Sequence, residues 1–189
     1  MSFEKYLFSL KKYIFVSLLI FILGIFYGYF SAKLYPKEAK KILLELQNKF
    51  EPVKDFSLVG QFLFIFLNNS LIAFATIILG IFFGIIPFLI LFSNSTILGL
   101  VIYFAKLKLD WTKIFLLLFP HGIFEIPVII LANAIAFKLG KTFLWQILKK
   151  EKRLKKEFNL AIEFYLKFLL SFLAIAATIE VALGRFFIK

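Results

Sequence analysis

The sequence predicts an all-α protein, a polytopic helical membrane protein with about five transmembrane helices, some of them short or broken. Of the 189 residues, 62% are hydrophobic, and the mean hydropathy is +0.94. Several apolar runs approach or exceed the roughly 20 residues that cross about 30 Å of hydrocarbon. The runs do not alternate apolar and polar residues, as barrel strands do. We therefore expect a single integral membrane domain over residues 1–189.

The first predicted span runs from Tyr13 to Leu34, after a short basic segment. Gly24 and Gly28 form a small-xxx-small pair, which permits close helix packing. The apolar run is too long for a cleavable signal peptide, and no small-x-small cleavage site follows it promptly.

Residues 36–56 are predicted to form an extramembrane amphipathic connector. Ile42, Leu43, Leu46 and Phe50 recur at helical spacing between charged residues, and Pro52 ends the pattern. The segment suits a solvated connector and a partner-docking helix equally well.

The next apolar run is too long for one simple span. It predicts a short helix over 58–67 that turns at Asn68 and Asn69. A full span over 70–92 then follows, and Pro87 kinks its far end.

A second glycine pair lies within this span. Gly80 and Gly84 repeat the spacing of Gly24 and Gly28, and the residues around the two pairs match closely. We expect the two helices to use their glycine faces in the same way.

Residues 93–96, which include Asn94, predict a turn because they combine helix-capping side chains. Residues 97–109 are then either a short tilted span or a re-entrant segment, and we favour the short span. Trp111 follows beside charged residues, as is typical of the membrane interface.

The most distinctive stretch is Pro120-His121-Gly122-Ile123-Phe124-Glu125-Ile126-Pro127, inside the predicted helix 112–137. His121 is the only histidine. Glu125 lies four residues later, so both side chains project from one helix face, and Asn133 leans towards the same side. The two prolines and the glycine predict that the helix starts or breaks here.

Residues 138–158 are predicted to be a second extramembrane connector. The stretch from Lys138 to Lys156 is the most basic in the chain, which carries a net charge of +12. The charge indicates membrane topology rather than nucleic acid, because basic residues lie between the apolar runs. The stretch suits either a cytoplasmic surface helix on anionic lipids or the positive-inside signal alone.

Leu160 to Ile188 contains the last predicted span, with Glu180 inside it and Arg185 near its end. Five crossings place the N-terminus inside and residues 36–56 outside. A re-entrant segment at 97–105 would reverse the N-terminal orientation.

The ionisable residues in these apolar runs are the candidate functional groups, because charges in hydrocarbon are costly and face the bundle interior. His121, Glu125 and Glu180 could form a metal site, a proton relay or a structural hydrogen-bonded cluster. No HExxH zinc motif, phosphate-binding loop or nucleophile elbow occurs, and there is no cysteine. We therefore expect no cofactor, no metal and no catalytic residue.

The polar residues and their order resemble the stage II sporulation protein M family. The resemblance covers residues 58–185 and rests on Asn68-Asn69, Gly80/Gly84, Asn94, the Pro-His-Gly-x-x-Glu core and Glu180. The family pattern has glycine directly after the residue aligned with Asn94, where this chain has Ser95. The resemblance implies an inner-membrane protein of about five spans. In endospore formers, members belong to an engulfment complex with a cell-wall hydrolase and a scaffold partner, and members also occur in archaea.

Three hypotheses follow for this multi-pass protein of the plasma membrane. The first, which the sequence favours, is a non-catalytic scaffold that forms a homodimer and assembles with cell-envelope proteins. The second is a transporter or lipid translocase that uses the polar cluster as a binding or proton-relay site, and the third is an intramembrane metalloenzyme. The predicted cluster consists of Asn68, Asn69, Asn94, His121, Glu125, Asn133, Glu180 and Arg185.

Overall fold

The computed structural model describes residues 3–149 and 153–187, apart from the side chains of residues 117, 119–121 and 183–187. Its regular structure is helical, and no strand occurs in this part of the chain. A 3-10 segment, Glu51–Asp55, follows the second helix, and a π-helical turn, Tyr165–Leu169, joins the last two. The α-helices are α1 (Phe3–Leu34), α2 (Pro36–Phe50), α3 (Leu58–Leu79), α4 (Ile85–Lys106), α5 (Trp111–Lys149), α6 (Leu154–Phe164) and α7 (Leu170–Phe187).

Five helical segments are long and apolar enough to cross a membrane. They are α1, α3, α4, residues Gly122–Lys149 of α5, and the continuous segment Leu154–Ala182 that combines α6 with most of α7. The protein is thus a multi-pass helical membrane protein with five candidate spans, which confirms the predicted fold class.

Helix α5 is the centre of the bundle, since it packs against α1, α3, α4, α6 and α7. Val128, Ile135 and Leu139 of α5 are almost fully buried, at 1%, 0% and 0% exposed, in the largest core cluster. Lipid is as apolar as these side chains, so close van der Waals packing, rather than escape from water, holds them together.

Glycine lets α1 and α4 approach each other closely. A Cβ atom at Gly24 would collide with the Ser95 side chain, and one at Gly28 with the Thr96 carbonyl. A Cβ atom at Gly99 would collide with the Ile25 carbonyl oxygen. Residue numbers rise together along the contact, so α1 and α4 run parallel.

The second glycine pair serves α3 and α5 in the same way. A Cβ atom at Gly80 would lie 2.5 Å from the Ala136 carbonyl oxygen, and one at Gly140 would lie 2.6 Å from the Gly80 carbonyl oxygen. These helices are also parallel. The expectation that both glycine pairs mediate close packing agrees with these contacts.

The break between the second and third spans lies at residues 80–84. The predicted turn at Asn68 and Asn69 and the predicted continuous span over 70–92 are therefore both wrong. Helix α3 continues through both asparagines. The chain turns where Phe83 has a φ of 56° and Gly84 a φ of 76°. Glycine adopts this left-handed conformation without steric cost, whereas an asparagine pair inside a helix can satisfy its side chains by tertiary hydrogen bonds.

The predicted turn at residues 93–96 is also wrong, because these residues lie in the middle of α4. The Ser95 hydroxyl lies 2.9 Å from the Leu91 carbonyl oxygen and 3.0 Å from that of Phe92, within hydrogen-bonding distance of both. A serine bonded to its own helix needs no turn. Residues 97–106 are therefore the second half of a full span, not a short or re-entrant one.

The prolines do not break the helices as predicted. Helix α5 is continuous through Pro120 and Pro127. Transmembrane helices tolerate proline when neighbouring groups and local adjustments satisfy the freed backbone. Pro87 lies in the first turn of α4 and kinks nothing, because an N–H group there has no intrahelical acceptor.

The basic region near residue 138 differs in form from the predicted connector. Lys138 to Lys149 is the end of α5 rather than a separate surface helix, and α6 begins at Leu154. Residues 150–152 lie outside the described part of the chain. The extramembrane position of residues 138–158 stays a prediction.

A buried ion pair ties α5 to α6 in this region. Lys138 Nζ lies 2.5 Å from Glu157 Oε1, with side chains only 14% and 16% exposed. The same ammonium donates to Ser9 Oγ at 2.8 Å and lies 4.7 Å from the centre of the Tyr6 ring. One lysine thus joins α1, α5 and α6.

Helix α2 lies along one end of the bundle, hereafter the α2 end. Its apolar side packs on α1 and α4 through Ala39, which is 4% exposed, and Leu43. The predicted amphipathic helix over this segment agrees with the structure, and it ends at Phe50, before Pro52.

Candidate functional site

A cavity of about 960 Å³ lies among α3, α4 and α5. Residues of α1, α2 and α7 complete its walls, and most of the lining is apolar. α3 packs mostly against α5 and α7, whereas α4 packs mostly against α1. The polar side chains that line it are Lys49, Asn68, Asn69, Thr76, Asn94, Glu125 and Asn133.

The large cavity is elongated along the bundle. On α5 its lining extends from Phe115 to Asn133, which is about 27 Å at a rise of about 1.5 Å per residue. At the α2 end, Lys49 and Phe50 lie over it. At the other end, Asn133 lies one turn from Ala136, against which Gly80 packs. Its lining on α5 therefore begins before the candidate span Gly122–Lys149 and extends into the first half of that span.

A second cavity of about 350 Å³ lies near the α2 end, beside α3, α5 and α7. The 3-10 segment contributes Val53 and Lys54 to its lining. A larger share of its lining residues is polar than in the large cavity. These polar residues are Lys54, Gln61, Asn68, Asn69, Glu125 and Glu180.

The two cavities share a polar wall at the centre of α3. Asn69 Nδ2 donates a hydrogen bond of 2.6 Å to Glu125 Oε1 on α5. Asn68 Nδ2 donates to Asn69 Oδ1 at 3.2 Å. Phe50 of α2 also lines both cavities. This wall lies at membrane depth, because α3 is one of the five candidate spans.

Parallel packing of α3 and α5 explains why these residues meet. The glycine contacts pair Gly80 with Ala136, and eleven residues earlier on both helices the same register pairs Asn69 with Glu125. A carboxylate in a membrane span is costly unless polar groups surround it. The Asn69 amide supplies one such group.

Two further predicted residues line the large cavity at other depths. Asn94, in the middle of α4, is half-buried and lines it from that side. Asn133 is only 1% exposed. Its Nδ2 donates to the Ile129 carbonyl oxygen at 3.0 Å, while its Oδ1 is buried and has no partner in the described structure.

The structure thus brings six of the eight predicted residues to two adjoining cavities. Glu180 joins only the smaller cavity, together with Glu125 and Asn69. The side chains of His121 and Arg185 lie outside the described part of the structure. A shared helix face for His121 and Glu125 therefore stays a prediction.

The described lining is typical of a binding pocket. Among the described residues, no three His, Asp or Glu side chains come together as metal ligands would. Amide groups spaced along apolar walls are typical of pockets that orient a largely apolar ligand by a few hydrogen bonds.

Sequence reasoning missed the contribution of α2 to the site. Leu46 and Phe50 were recognised as its apolar side, but their position over the large cavity depends on how α2 folds back across the bundle. Thr76 was also missed. The spacing of Asn69, Ala73 and Thr76 on one face of α3 is the signal that points to it.

Five spans around polar groups at membrane depth define a polytopic helical membrane protein with an internal cavity. The sequence matches the family model described as Stage II sporulation protein M over residues 17–184. The chain belongs to this family, as the resemblance predicted.

The chain is 30% identical over 154 residues to an uncharacterized protein of Methanocaldococcus jannaschii, covering 78% of this chain and 80% of that protein. No solved structure matches the chain.

Proposed function

We propose that this membrane protein is a transporter or lipid translocase that admits an amphiphile to the large cavity. The observation that carries the proposal is the cavity itself, about 960 Å³ in volume and lined along about 27 Å of α5. Ligand-binding pockets range from roughly 300 to 1,000 Å³, so this cavity lies at the upper end.

The lining fits a ligand that is mostly apolar. The cavity is partly open to its surroundings, so a ligand can enter it from outside the bundle. Its apolar walls suit a hydrocarbon chain, and the polar wall at Asn69 and Glu125 places hydrogen-bonding groups where a head group would pass the membrane centre.

The cavity changes the order in which the sequence ranked its hypotheses. A scaffold would be expected to enclose its polar cluster in a dry helix interface, whereas Asn68, Asn69 and Glu125 line two cavities. A non-catalytic scaffold remains the second candidate, and membership of the Stage II sporulation protein M family favours it. A homodimer and cell-envelope protein partners would belong to that role.

We also propose the plasma membrane as the location, with the end opposite α2 on the cytoplasmic side. Lys141 and Lys149 lie near this end, and their ammonium groups lie 5.2 and 4.2 Å from the centre of the Trp145 ring. Lysine and tryptophan together suit a membrane interface, where lysines attract anionic lipids.

The experiment measures lipid movement by the full chain in liposomes. A lipid probe with a fluorescent chain is incorporated in both leaflets, and an impermeant quencher reports how fast inner-leaflet probe reaches the outside. Phospholipid and uncharged diacylglycerol probes are compared. We expect the chain to accelerate the exchange of at least one of them.

Matched variants test whether the cavity is the route. Val101→Trp adds bulk to the cavity lining, whereas Val59→Trp makes the same change at a position that is 66% exposed on the outer face of α3. Val101→Trp should slow the exchange and Val59→Trp should not. No acceleration of either probe, with a defined protein partner co-purifying, would support the scaffold instead.

A further inference from the structure

The unpartnered oxygen of Asn133 points to the chemistry of the ligand. Asn133 is 1% exposed and lines the large cavity. Its amide nitrogen faces the Ile129 carbonyl oxygen, which only accepts hydrogen bonds, so the amide orientation is determined and Oδ1 remains as a buried acceptor. A buried acceptor without a donor is destabilising, whereas a leucine of similar shape would carry no such cost.

The surroundings of this acceptor favour an uncharged ligand, because no charged side chain of the described lining lies close to it. Glu125, eight residues earlier on α5, is about 12 Å away along the helix. The other polar groups along the described lining are the amides of Asn68, Asn69 and Asn94, the Thr76 hydroxyl and the Glu125 carboxylate. The one described cationic group of the lining, Lys49, lies on α2 at the other end of the cavity. An anionic head group near Asn133 would thus lack a cation and face an acceptor.

We infer that the end of the cavity at Asn133 binds the head of an uncharged amphiphile whose hydroxyl group donates to Asn133 Oδ1. The hydrocarbon chain then extends along the apolar walls towards the α2 end. The inference deepens the proposed function and rests on it for the role of the cavity, and it specifies a hydroxyl-bearing neutral lipid as the substrate class.

The test is a binding assay on the full chain in lipid nanodiscs. A photoactivatable long-chain alcohol is displaced by three competitors of equal chain length: the alcohol, its methyl ether and the alkyl phosphate. We expect the alcohol to compete at a concentration at least about tenfold lower than the ether, because a site that hydrogen-bonds a hydroxyl rejects an analogue without one. The phosphate should compete less well than the alcohol.

Two variants assign this preference to Asn133. Asn133→Leu should reduce the ratio between ether and alcohol to about one, since only the acceptor is lost. Asn159→Leu is the matched control, since Asn159 is exposed on α6. The thermal melt of each variant confirms that it is folded.

Three results would overturn the inference. They are equal competition by alcohol and ether, stronger competition by the phosphate, and an unchanged preference in Asn133→Leu. Equal competition by alcohol and ether would mean that Asn133 accepts a hydrogen bond from water and not from the ligand. Alcohol selectivity without lipid exchange in liposomes would remove the proposed function alone, while lipid exchange without alcohol selectivity would remove this inference alone.

Discussion

Asn69 of α3 donates a 2.6 Å hydrogen bond to Glu125 of α5 at the centre of the helix bundle. The bond joins two parallel spans about three helical turns from the glycine contact between Gly80 and Ala136, and both residues line both cavities. It explains why the asparagine pair does not interrupt α3, since a tertiary partner satisfies a side chain that would otherwise cap a helix end. The pair that joins the two helices thus also forms part of the wall shared by the two cavities.

The first prediction concerns this pair. Asn69→Leu and Glu125→Gln should each lower the free energy of unfolding in detergent, and together they should lower it by less than the sum. We expect a coupling energy of about 0.6–1.7 kcal/mol, which is the range found for hydrogen bonds between membrane helices. Denaturant titration of the single and double variants measures it. As a control, the changes in unfolding free energy caused by Asn159→Leu and Glu125→Gln should add in the double variant. If the changes caused by Asn69→Leu and Glu125→Gln also simply add, the prediction is contradicted.

The second prediction concerns glycine packing. Gly80→Ala places a Cβ 2.5 Å from the Ala136 carbonyl oxygen, and overpacking of this kind costs about 1–3 kcal/mol. Gly122→Ala is the matched control, because its nearest neighbour would be the Ile126 Cδ1 atom at 3.9 Å. In thermal melts Gly80→Ala should be destabilised and Gly122→Ala unchanged or slightly stabilised. Equal melting temperatures would show that the α3–α5 contact relaxes freely.

The third prediction concerns Lys138, which pairs with Glu157 in a mostly buried position. Lys138→Met should cost about 3–5 kcal/mol in chemical unfolding, because it leaves a buried carboxylate without its cation. Lys167→Met removes the lysine of an exposed pair with Glu163 and should change the stability little, because solvent screens an exposed ion pair.

A double variant separates charge from packing at Lys138. Adding Glu157→Leu to Lys138→Met should restore much of the lost stability, because both charges are then absent. A double variant as unstable as Lys138→Met would mean that the lysine acts through its contacts with Ser9 and Tyr6.

The fourth prediction concerns pH and the start of α5. The Lys113 backbone N–H donates to Asp110 Oδ1 at 2.9 Å and lowers the pKa of this exposed carboxyl group, and the Lys113 ammonium lowers it further. A carboxyl whose pKa is lower in the folded state stabilises above its unfolded value of about 4, and the effect disappears as pH falls through the folded pKa.

Thermal melts across pH measure this contribution. Asp110→Ala should melt below the unmodified chain at neutral pH, and the gap should narrow as pH falls below about 4. Asp110→Asn keeps a capping acceptor without titrating, so its gap to Asp110→Ala should stay constant. A gap between Asp110→Ala and the unmodified chain that does not depend on pH would contradict the assignment.

The sequence by itself determined the class of protein and much of its local structure. Apolar runs as long as Tyr13 to Leu34 require a membrane, and the amphipathic side of α2 follows from residue spacing alone. These properties depend only on residues close together in the sequence, so they can be predicted without the tertiary structure. The repeated glycine spacing likewise predicted two close helix contacts, although not their partners.

Only the tertiary structure decided where the spans break and what the polar residues do. Asparagine, serine and proline at 68–69, 93–96 and 120–127 predicted interruptions that do not occur, because a partner on another helix or the helix's own backbone can satisfy such groups. The break instead lies at Gly84, where φ is positive. The cavity and the Lys138–Glu157 pair join residues far apart in the chain, and no local pattern encodes which distant residues will meet.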